Sequence, residues 1–244
     1  MDLPIIRQIK KETQLAVTVS LGERPDEDLE AWRNAGADRY LLRFQTSDEG
    51  LYHSIHPSLP GRVSNRLAML KTLKRLGYEA GSGVMIGIPG QTHASLSHDI
   101  DLFRRLDLDM IGVGPYIPHP QTPLGQGEWR HLIPKEEQVP NTEQMTYKVI
   151  ALTRIICPDA NIPSTTALAT INRERGRELG LMRGANVVMP NLTPVKYRSK
   201  YEIYPSKARI TEIPSDGHTC LYHRIGSIGR KIGTGQGDRI HRFG

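Results

Sequence analysis

Two arginines in an apolar stretch are the residues with the clearest chemical potential. Arg39 and Arg43 lie in the run Arg-Tyr-Leu-Leu-Arg-Phe-Gln, which ends at Gln45. If this run is a strand, the alternation of side chains places all three residues on one face. Because an unpaired buried charge is costly, the arginines are expected to bind an anion or to pair with an acid such as Glu23. The alternative is that one of them is an ordinary surface arginine.

Polar side chains also stand where other apolar runs end. They are Thr18, Ser20, Ser82, His119, Ser164, Thr165, Thr166, Asn191 and Thr193. Folds built from parallel strands keep their functional groups at the carboxyl ends of those strands, so these residues predict a site at one end of a sheet. His119, between two prolines, is interpreted either as an acid–base or substrate group or as a hydrogen-bonded structural histidine.

The sequence contains no familiar motif for a metal ion or a nucleophile. The nine histidines and two cysteines show no metal-ligand spacing, so neither a metal site nor a catalytic residue is predicted. A nucleophile elbow, a P-loop and an HExxH motif are also absent. Tyr197, Tyr201 and Tyr204 would share one face of a helix, where either core packing or ligand contact would suit them.

Short buried strands, each followed by a Gly/Pro loop and a helix, must position these groups. The most informative run is 109–123, in which an apolar segment gives way to a loop with three prolines. About six such units occupy about 190 residues, whereas a complete (β/α)8 barrel takes about 250. The predicted fold class is α/β, a partial (β/α)8 barrel with two units absent from the front. A doubly wound sheet is the alternative, but no strand leads into Gly-x-Gly-x-x-Gly.

Hydrophobic periodicity sets the expected elements. Strands are predicted at 15–20, 39–42, 81–88, 109–113, 162–166 and 187–189, and helices at 2–13, 25–34, 62–76, 92–106, 143–156 and 173–182. Glycines within the strand 81–88 indicate close approach by a ligand or by another backbone. The chain is divided into a barrel domain at 1–205 and a basic, glycine-containing C-terminal extension at 206–244.

Composition narrows the class of protein without deciding its function. Of the 244 residues, 38% are hydrophobic, and no apolar run approaches the roughly 20 residues of a membrane span. The N-terminus does not resemble a signal peptide, and two cysteines suit a reducing cytoplasm, where the protein is expected to reside. The net charge of +6 is spread along the chain except in the tail from His223, so neither a membrane nor a nucleic acid is expected as a partner.

Six segments in a fixed order carry a resemblance to a known family. They are 18–23 (TVSLGE), 36–43 (GADRYLLR), 83–92 (GVMIGIPGQT), 112–123 (GVGPYIPHPQTP), 161–167 (NIPSTTA) and 184–194 (GANVVMPNLTP). Together they make nearly the whole chain before the extension similar to the HydE family of radical S-adenosylmethionine (SAM) enzymes. Biotin synthase and methylornithine synthase are relatives of that family.

This resemblance implies a (β/α)8 barrel with SAM and a [4Fe-4S] cluster as cofactors. Cleavage of SAM would give a 5′-deoxyadenosyl radical that acts on a small-molecule or organometallic substrate during [FeFe]-hydrogenase assembly, alongside other hydrogenase maturation proteins. The resemblance assigns SAM contact to Ser20, Gln45, Arg66 and Tyr201, with Gln45 in place of a family glutamate. It assigns the substrate or anion cavity to Thr18, Arg39, Arg43, Thr165, Thr166, Met189 and Tyr204.

The three cysteines that hold the family's cluster are missing from this sequence. The motif Cys-x3-Cys-x2-Cys would precede residue 1, and Cys157 and Cys220 cannot supply three ligands. The chain alone is therefore expected to be inactive, and its two outermost strands are expected to promote aggregation or dimerisation. The alternatives are a cluster-free binding or assembly partner, including one that joins a separate N-terminal fragment, and a relative of methylornithine synthase or biotin synthase type.

Overall fold

The computed structural model describes residues 3–56, 63–128, 133–198, 200, 203, 205 and 214–240. Within these residues, four strands form one parallel sheet in the order β1-β2-β3-β4. They are β1 (Thr18–Val19), β2 (Arg39–Leu41), β3 (Glu79–Ile86) and β4 (Met110–Pro115). The first four predicted strands are thus confirmed, although β1 and β2 are shorter than predicted.

The described residues also form ten helices. They are α1 (Leu3–Glu12), α2 (Asp26–Asn34), α3 (Glu49–Ile55), α4 (Arg66–Arg75), α5 (His93–Arg105), α6 (Glu143–Ile156), α7 (Thr166–Ile171), α8 (Gly176–Met182), α9 (Val195–Arg198) and α10 (Pro214–Ser227). All six predicted helices are confirmed, as α1, α2, α4, α5, α6 and α8. Three of the others have seven residues or fewer, so they are too short to show helical periodicity.

Two further segments continue the sheet beyond β4 through isolated bridges. Met110 pairs with Asn161, Val113 pairs with Ser164, and Pro163 pairs with Val187, all in parallel. The predicted strands at 162–166 and 187–189 are therefore wrong as strands, although their place in the sheet order is correct. The physical reason is that Pro163 has no N–H to donate and that the chain turns into α7 at Thr166.

Side-chain caps fix the start of α5 and α6, the helices that follow β3 and β4. Thr92 and Ser95 form a reciprocal capping box at the start of α5, with Ser95 N donating to Thr92 Oγ1 over 3.0 Å. At the start of α6, Met145 N donates to Thr142 Oγ1 over 3.3 Å. These bonds satisfy first-turn N–H groups that have no partner inside the helix.

The sheet is buried on both faces, as parallel sheets in α/β proteins usually are. Tyr40, Val84 and Ile111 on successive strands have no exposed surface. The helices supply fully buried partners such as Leu73 on α4 and Phe103 on α5. This packing holds the strand exits at fixed positions, which is what a site at the carboxyl ends requires.

The helix α10 and the residues after it belong to the predicted C-terminal extension, yet they pack on the barrel. Ile225 and Ile228 lie against the main core cluster, and Arg224 forms an ion pair with Glu178 of α8. The boundary predicted at 205/206 stays a prediction, since residue 206 lies outside the described residues.

Residues 236–239, here named the closing segment, cross the N-terminal ends of the strands. Asp238 forms an ion pair with Arg39 at the start of β2. On the far side of β4, Asn161 Nδ2 donates to Gly237 O over 3.0 Å. The basic tail therefore covers the end of the sheet that lies opposite the strand exits.

Asp109 is the buried acid on which this end of the sheet depends. Only 5% of its surface is exposed. Its Oδ2 accepts from Ala80 N over 2.7 Å and from Lys74 Nζ over 3.0 Å, while its Oδ1 accepts from Arg239 Nη1 over 3.1 Å. One carboxylate thus joins β3, α4 and the closing segment. Asp107 binds the same two cations from the surface.

Replacing Asp109 with Asn should lower the free energy of unfolding by about 3 kcal/mol, because a neutral amide in this buried position cannot replace the carboxylate that pairs with two partly buried cations and a backbone donor. The matched control is Asp107→Asn, with a side chain 59% exposed, which should cost less than about 1 kcal/mol. Asparagine tolerates the positive φ of 46° at that position. Urea unfolding of both variants measures the difference, and equal losses would show that burial of Asp109 does not matter.

The described strands form an open arc. Among the described residues, β1 pairs with β2 alone, and the segment at Val187 pairs only with Pro163. The expected exposure of two edges agrees with this arrangement, while the expected aggregation or dimerisation stays a prediction. In the described part of the chain, no helix combines the length and the apolar character that crossing a bilayer requires.

Candidate functional site

Arg43 lies just after β2 and reaches across β3 and β4. Its Nη2 donates to Gly112 O over 3.2 Å and also to Val84 O. The residue is half-buried and follows β2, where the chain stays beside β3. The guanidinium is therefore held by backbone carbonyl groups of two neighbouring strands.

Two glycines make room for this arrangement. A Cβ at Gly83 would overlap the backbone of Gly112, the residue paired with it on β4. A Cβ at Gly112 would instead meet Arg43 Nε at 3.8 Å, which is ordinary contact. The predicted close approach at the glycine-rich strand is thus an approach of backbone to backbone at Gly83. The absence of a side chain at Gly112 leaves that face of β4 to the guanidinium.

Thr165 lies on the same face of β4. A Cβ at Gly114 would stand 3.1 Å from Thr165 Oγ1, and Gly112 and Gly114 point to one side because they are two residues apart. Thr165 caps α7, of which Thr166 is the first residue. The structure therefore brings the predicted cavity residues Arg43, Thr165 and Thr166 to one end of the sheet.

Arg66 and Ser20 both contact the backbone at the exit of β2. Arg66 Nη1 donates to Arg43 O over 2.7 Å, and its Nε donates to Glu23 Oε1 over 2.9 Å. Ser20 Oγ donates to Leu41 O over 3.0 Å. Burial acts to raise the pKa of Glu23, but hydrogen bonds from Arg66 and Ser64 together with the Arg66 charge outweigh it and lower that pKa. The ionised carboxylate then keeps Arg66 in place.

A cleft of about 660 Å³ opens beside this ion pair. Its lining residues come from the loop after β1, from His56 and from the start of α4: Leu21, Glu23, Arg24, Asp26, His56, Val63, Ser64, Asn65, Arg66, Ala68, Met69 and Thr72. Tyr52 stacks on His56 with ring centroids 4.2 Å apart and hydrogen bonds to Ser64. Sequence reasoning missed Tyr52, His56 and Ser64, because no spacing in the sequence marks residues that only the fold brings together.

Arg39 lies at the opposite end of the sheet from Arg43. It pairs with Glu79 and Asp238, not with Glu23, so the expected acid partner exists but has a different identity. Thr18 is its neighbour in register on β1. The cavity beside Thr18 and Arg39 measures only about 10 Å³, roughly the space of one water molecule. The structure thus places these two residues apart from the group around Arg43.

The remaining predicted residues are more scattered. Gln45 follows β2 and bridges to Val84; its Oε1 is buried and, within the described part of the chain, has no hydrogen-bond partner. Met189 is 43% exposed. Tyr201 and Tyr204 lie outside the described residues. Their assignment to SAM and to the cavity stays a prediction.

His119 organises its own loop. Gln121 N donates to His119 Nδ1 over 3.1 Å, and Thr122 Oγ1 donates to His119 O over 2.9 Å. These are the contacts of a structural histidine, which was one of the two interpretations of the sequence.

Replacing Gly83 with Ala should lower the free energy of unfolding by about 3 kcal/mol, since the new methyl group would overlap the backbone of β4. The matched control is Gly112→Ala, for which the nearest atoms lie at 3.6 Å or beyond. That variant should stay within about 1 kcal/mol of the parent protein. Thermal or urea unfolding of the two proteins decides the point, and a benign Gly83→Ala would show that β3 and β4 can separate.

Sequence comparison finds relatives of one superfamily. The family described as "Radical SAM superfamily" matches residues 2–103. The [FeFe] hydrogenase maturase subunit HydE of Thermotoga maritima is 46% identical over 239 residues, which cover 98% of this chain and 64% of that protein. Biotin synthase of Streptomyces coelicolor is 31% identical over 64% of this chain and 35% of its own length. The chain spans less than two thirds of either relative.

Comparison of structures confirms the fold. The crystal structure of methylornithine synthase (PylB) superposes with a TM-score of 0.72 at 23% identity, covering 95% of this chain and 63% of that one. This likeness confirms the predicted α/β class with a parallel sheet, and a partial barrel is consistent with it. Along nearly its whole length, the chain is thus similar in sequence to the radical SAM protein HydE and similar in fold to methylornithine synthase.

Proposed function

We propose that this chain supplies the substrate cavity and part of the SAM site of a HydE-like radical SAM enzyme that acts in [FeFe]-hydrogenase maturation. The observation that carries the proposal is the 46% identity to Thermotoga maritima HydE, which extends over 98% of the chain. The substrate would be a small or organometallic molecule, and the partners would be other hydrogenase maturation proteins. The alternatives, a cluster-free assembly partner and a methylornithine synthase or biotin synthase type of enzyme, have no specific observation in their favour.

The geometry around Arg43 supports a cavity for an anionic group. A guanidinium stays charged at any physiological pH and presents several N–H donors in a fixed plane. Here it follows the C-terminal end of β2 in a parallel sheet, and (β/α)8 enzymes keep their active sites at the C-terminal ends of their strands. Thr165 and Thr166 lie at the same end and would complete the cavity with hydroxyl groups.

Three residues would contribute to holding SAM. Ser20 and Arg66 stand at the exits of β1 and β2, and Gln45 offers a buried carbonyl oxygen without a partner in the described chain. Such an oxygen suits an N–H donor of a ligand, because a buried acceptor left without a partner is costly. In this superfamily, bound SAM supplies the radical. The residues here would only orient it.

The residues of this chain do not fit a [4Fe-4S] cluster. The sequence holds two cysteines, whereas the family's cluster takes three. Cys157 is buried beside the C-terminal end of α6, and burial raises the pKa of its thiol to about 11, so it is not a thiolate at neutral pH. The described residues contain no group of three His, Cys, Asp or Glu that could hold a metal ion. A cluster would therefore need cysteines from outside these 244 residues, on the same or another polypeptide.

A chimeric protein tests the proposal. The cysteine-containing front of Thermotoga maritima HydE is fused to this chain, loaded anaerobically with iron and sulfide, and given SAM and dithionite. We expect the chimera to form 5′-deoxyadenosine and the chain alone to form none. A chimera that folds and holds its cluster but leaves SAM intact would contradict the proposal.

Arg43→Gln should keep the cluster yet weaken substrate binding, with Arg104→Gln, exposed at the surface, as the matched control.

Restoring the family's acid should strengthen SAM binding. In the chimera, Gln45→Glu replaces a neutral hydrogen bond to SAM by a charge-assisted one, so the Kd for SAM should fall about five- to tenfold. Isothermal titration calorimetry at pH 7.5 measures it. Gln126→Glu, in the exposed loop after β4, controls for the added charge. An unchanged or higher Kd in Gln45→Glu would show that Gln45 does not contact SAM.

A further inference from the structure

Gln45 sits in a backbone turn that needs outside support. Its φ is 68°, and Thr46 N donates to Phe44 O over 2.8 Å, which closes a γ-turn around Gln45. This turn with positive φ is rare and strained for a residue other than glycine. On one side it is fixed by β3, since Gln45 N donates to Gly83 O over 3.0 Å and Met85 N donates to Gln45 O over 3.3 Å.

Asp99 fixes the other side of the turn. This residue of α5 has no exposed surface, and its Oδ1 accepts from both the N and the Oγ of Ser47 over 2.6 Å. Aspartate is almost never fully buried without such partners. Asp48, the residue after Ser47, then caps α3 and accepts a hydrogen bond from Leu51 N over 2.9 Å. A single core carboxyl group therefore anchors the chain two residues after Gln45 and just before the next helix.

We propose that Asp99 is a positioning residue, which clamps Ser47 so that the strained turn holds the Gln45 side chain at the exit of β2. The inference rests on the proposed function in taking Gln45 as a SAM contact; the clamp itself does not depend on it. With Gln45 tied to β3 and Ser47 tied to α5, the chain between them has no room to relax into an ordinary extended conformation. The buried Gln45 Oε1 is thereby kept available for a ligand donor.

The ionisation of Asp99 gives a signal by which the clamp can be followed in solution. Burial raises the pKa of Asp99 to about 7, hydrogen bonds from Ser47 oppose the rise, and the negative charge of Asp48 adds to it. Gln91 is the other polar neighbour of the carboxyl group. A carboxyl group whose pKa is raised on folding favours the protonated fold, so stability declines as pH rises from about 4 to about 7. The Ser47 amide should sense this ionisation directly through its hydrogen bond.

NMR of the ¹⁵N-labelled chain tests the clamp without SAM. In the parent protein the Ser47 amide proton should titrate with a midpoint near pH 7, and the Gln45 signals should follow with the same midpoint. In Asp99→Asn the Ser47 signal should stay at a hydrogen-bonded position and lose this titration. In Asp99→Leu the Ser47 and Gln45 signals should move, while those of Gly83 and Gly112 stay in place.

Asp101→Leu is the matched control, because Asp101 lies on the same helix but pairs with Arg104 and Arg105 at the surface. It should leave the Ser47 and Gln45 signals unchanged. Adding SAM to the chimera measures the consequence: Asp99→Leu should raise the Kd at least tenfold, and Asp99→Asn should restore binding to within about threefold of the parent.

The outcomes separate the two proposals. A Ser47 amide that still titrates near pH 7 in Asp99→Asn, or Gln45 signals that ignore Asp99→Leu, would overturn the clamp whatever SAM does. If Asp99→Leu does not fold, the Asp99→Asn titration decides alone. If the chimera of the parent chain binds no SAM, the proposed function fails, while the Ser47 and Gln45 titrations still support or overturn the clamp.

Discussion

The close contact of β3 with β4 is the constraint on which the site depends. Gly83 and Gly112 let two backbones meet where any side chain on Gly83 would force them apart. The short distance puts the carbonyl groups of Val84 and Gly112 within reach of one guanidinium. Arg43 in turn gives its own carbonyl to Arg66, which is paired with Glu23 beyond β1. The packing of these two glycines therefore determines which backbone groups hold Arg43, and through Arg43 it positions Arg66.

The two ends of the sheet hold their charged side chains in different ways. At the N-terminal end, cations and acids neutralise each other, with Asp109 between Lys74 and Arg239 and with Arg39 between Glu79 and Asp238. Partners that come from the chain itself suit a stabilising role. At the exits, Arg66 pairs with Glu23, and backbone carbonyl groups of β3 and β4 accept hydrogen bonds from Arg43. Ion pairs therefore dominate the N-terminal end, whereas backbone carbonyl groups take part in holding a guanidinium at the other end.

Much of the fold follows from the sequence, because the signals are local. Amphipathic spacing predicts helices such as α5 and α6 to within a few residues, and glycines threaded through 81–88 predict the close approach at Gly83. The pattern fails where one local rule overrides another, as at Pro163, whose missing N–H leaves only isolated bridges between β4 and the segment 161–164. It also fails for the closing segment, since nothing near residue 238 in the sequence indicates an ion pair with Arg39.

The candidate site also contains features that the sequence predicts and features that it does not. Alternation along β2 places Arg39 and Arg43 on one face, but four residues of strand separate them by about 13 Å, from one end of the sheet to the other. Periodicity determines the face of the sheet to which a side chain points. It does not determine which partner residue lies beside it at that position along the strand. Thr18 lies beside Arg39 in the sheet register, whereas Thr165 lies on the same face of β4 as Arg43. The assignment of all four residues to one cavity stays a prediction, while the sheet places Thr18 and Arg39 at a different depth from Arg43 and Thr165.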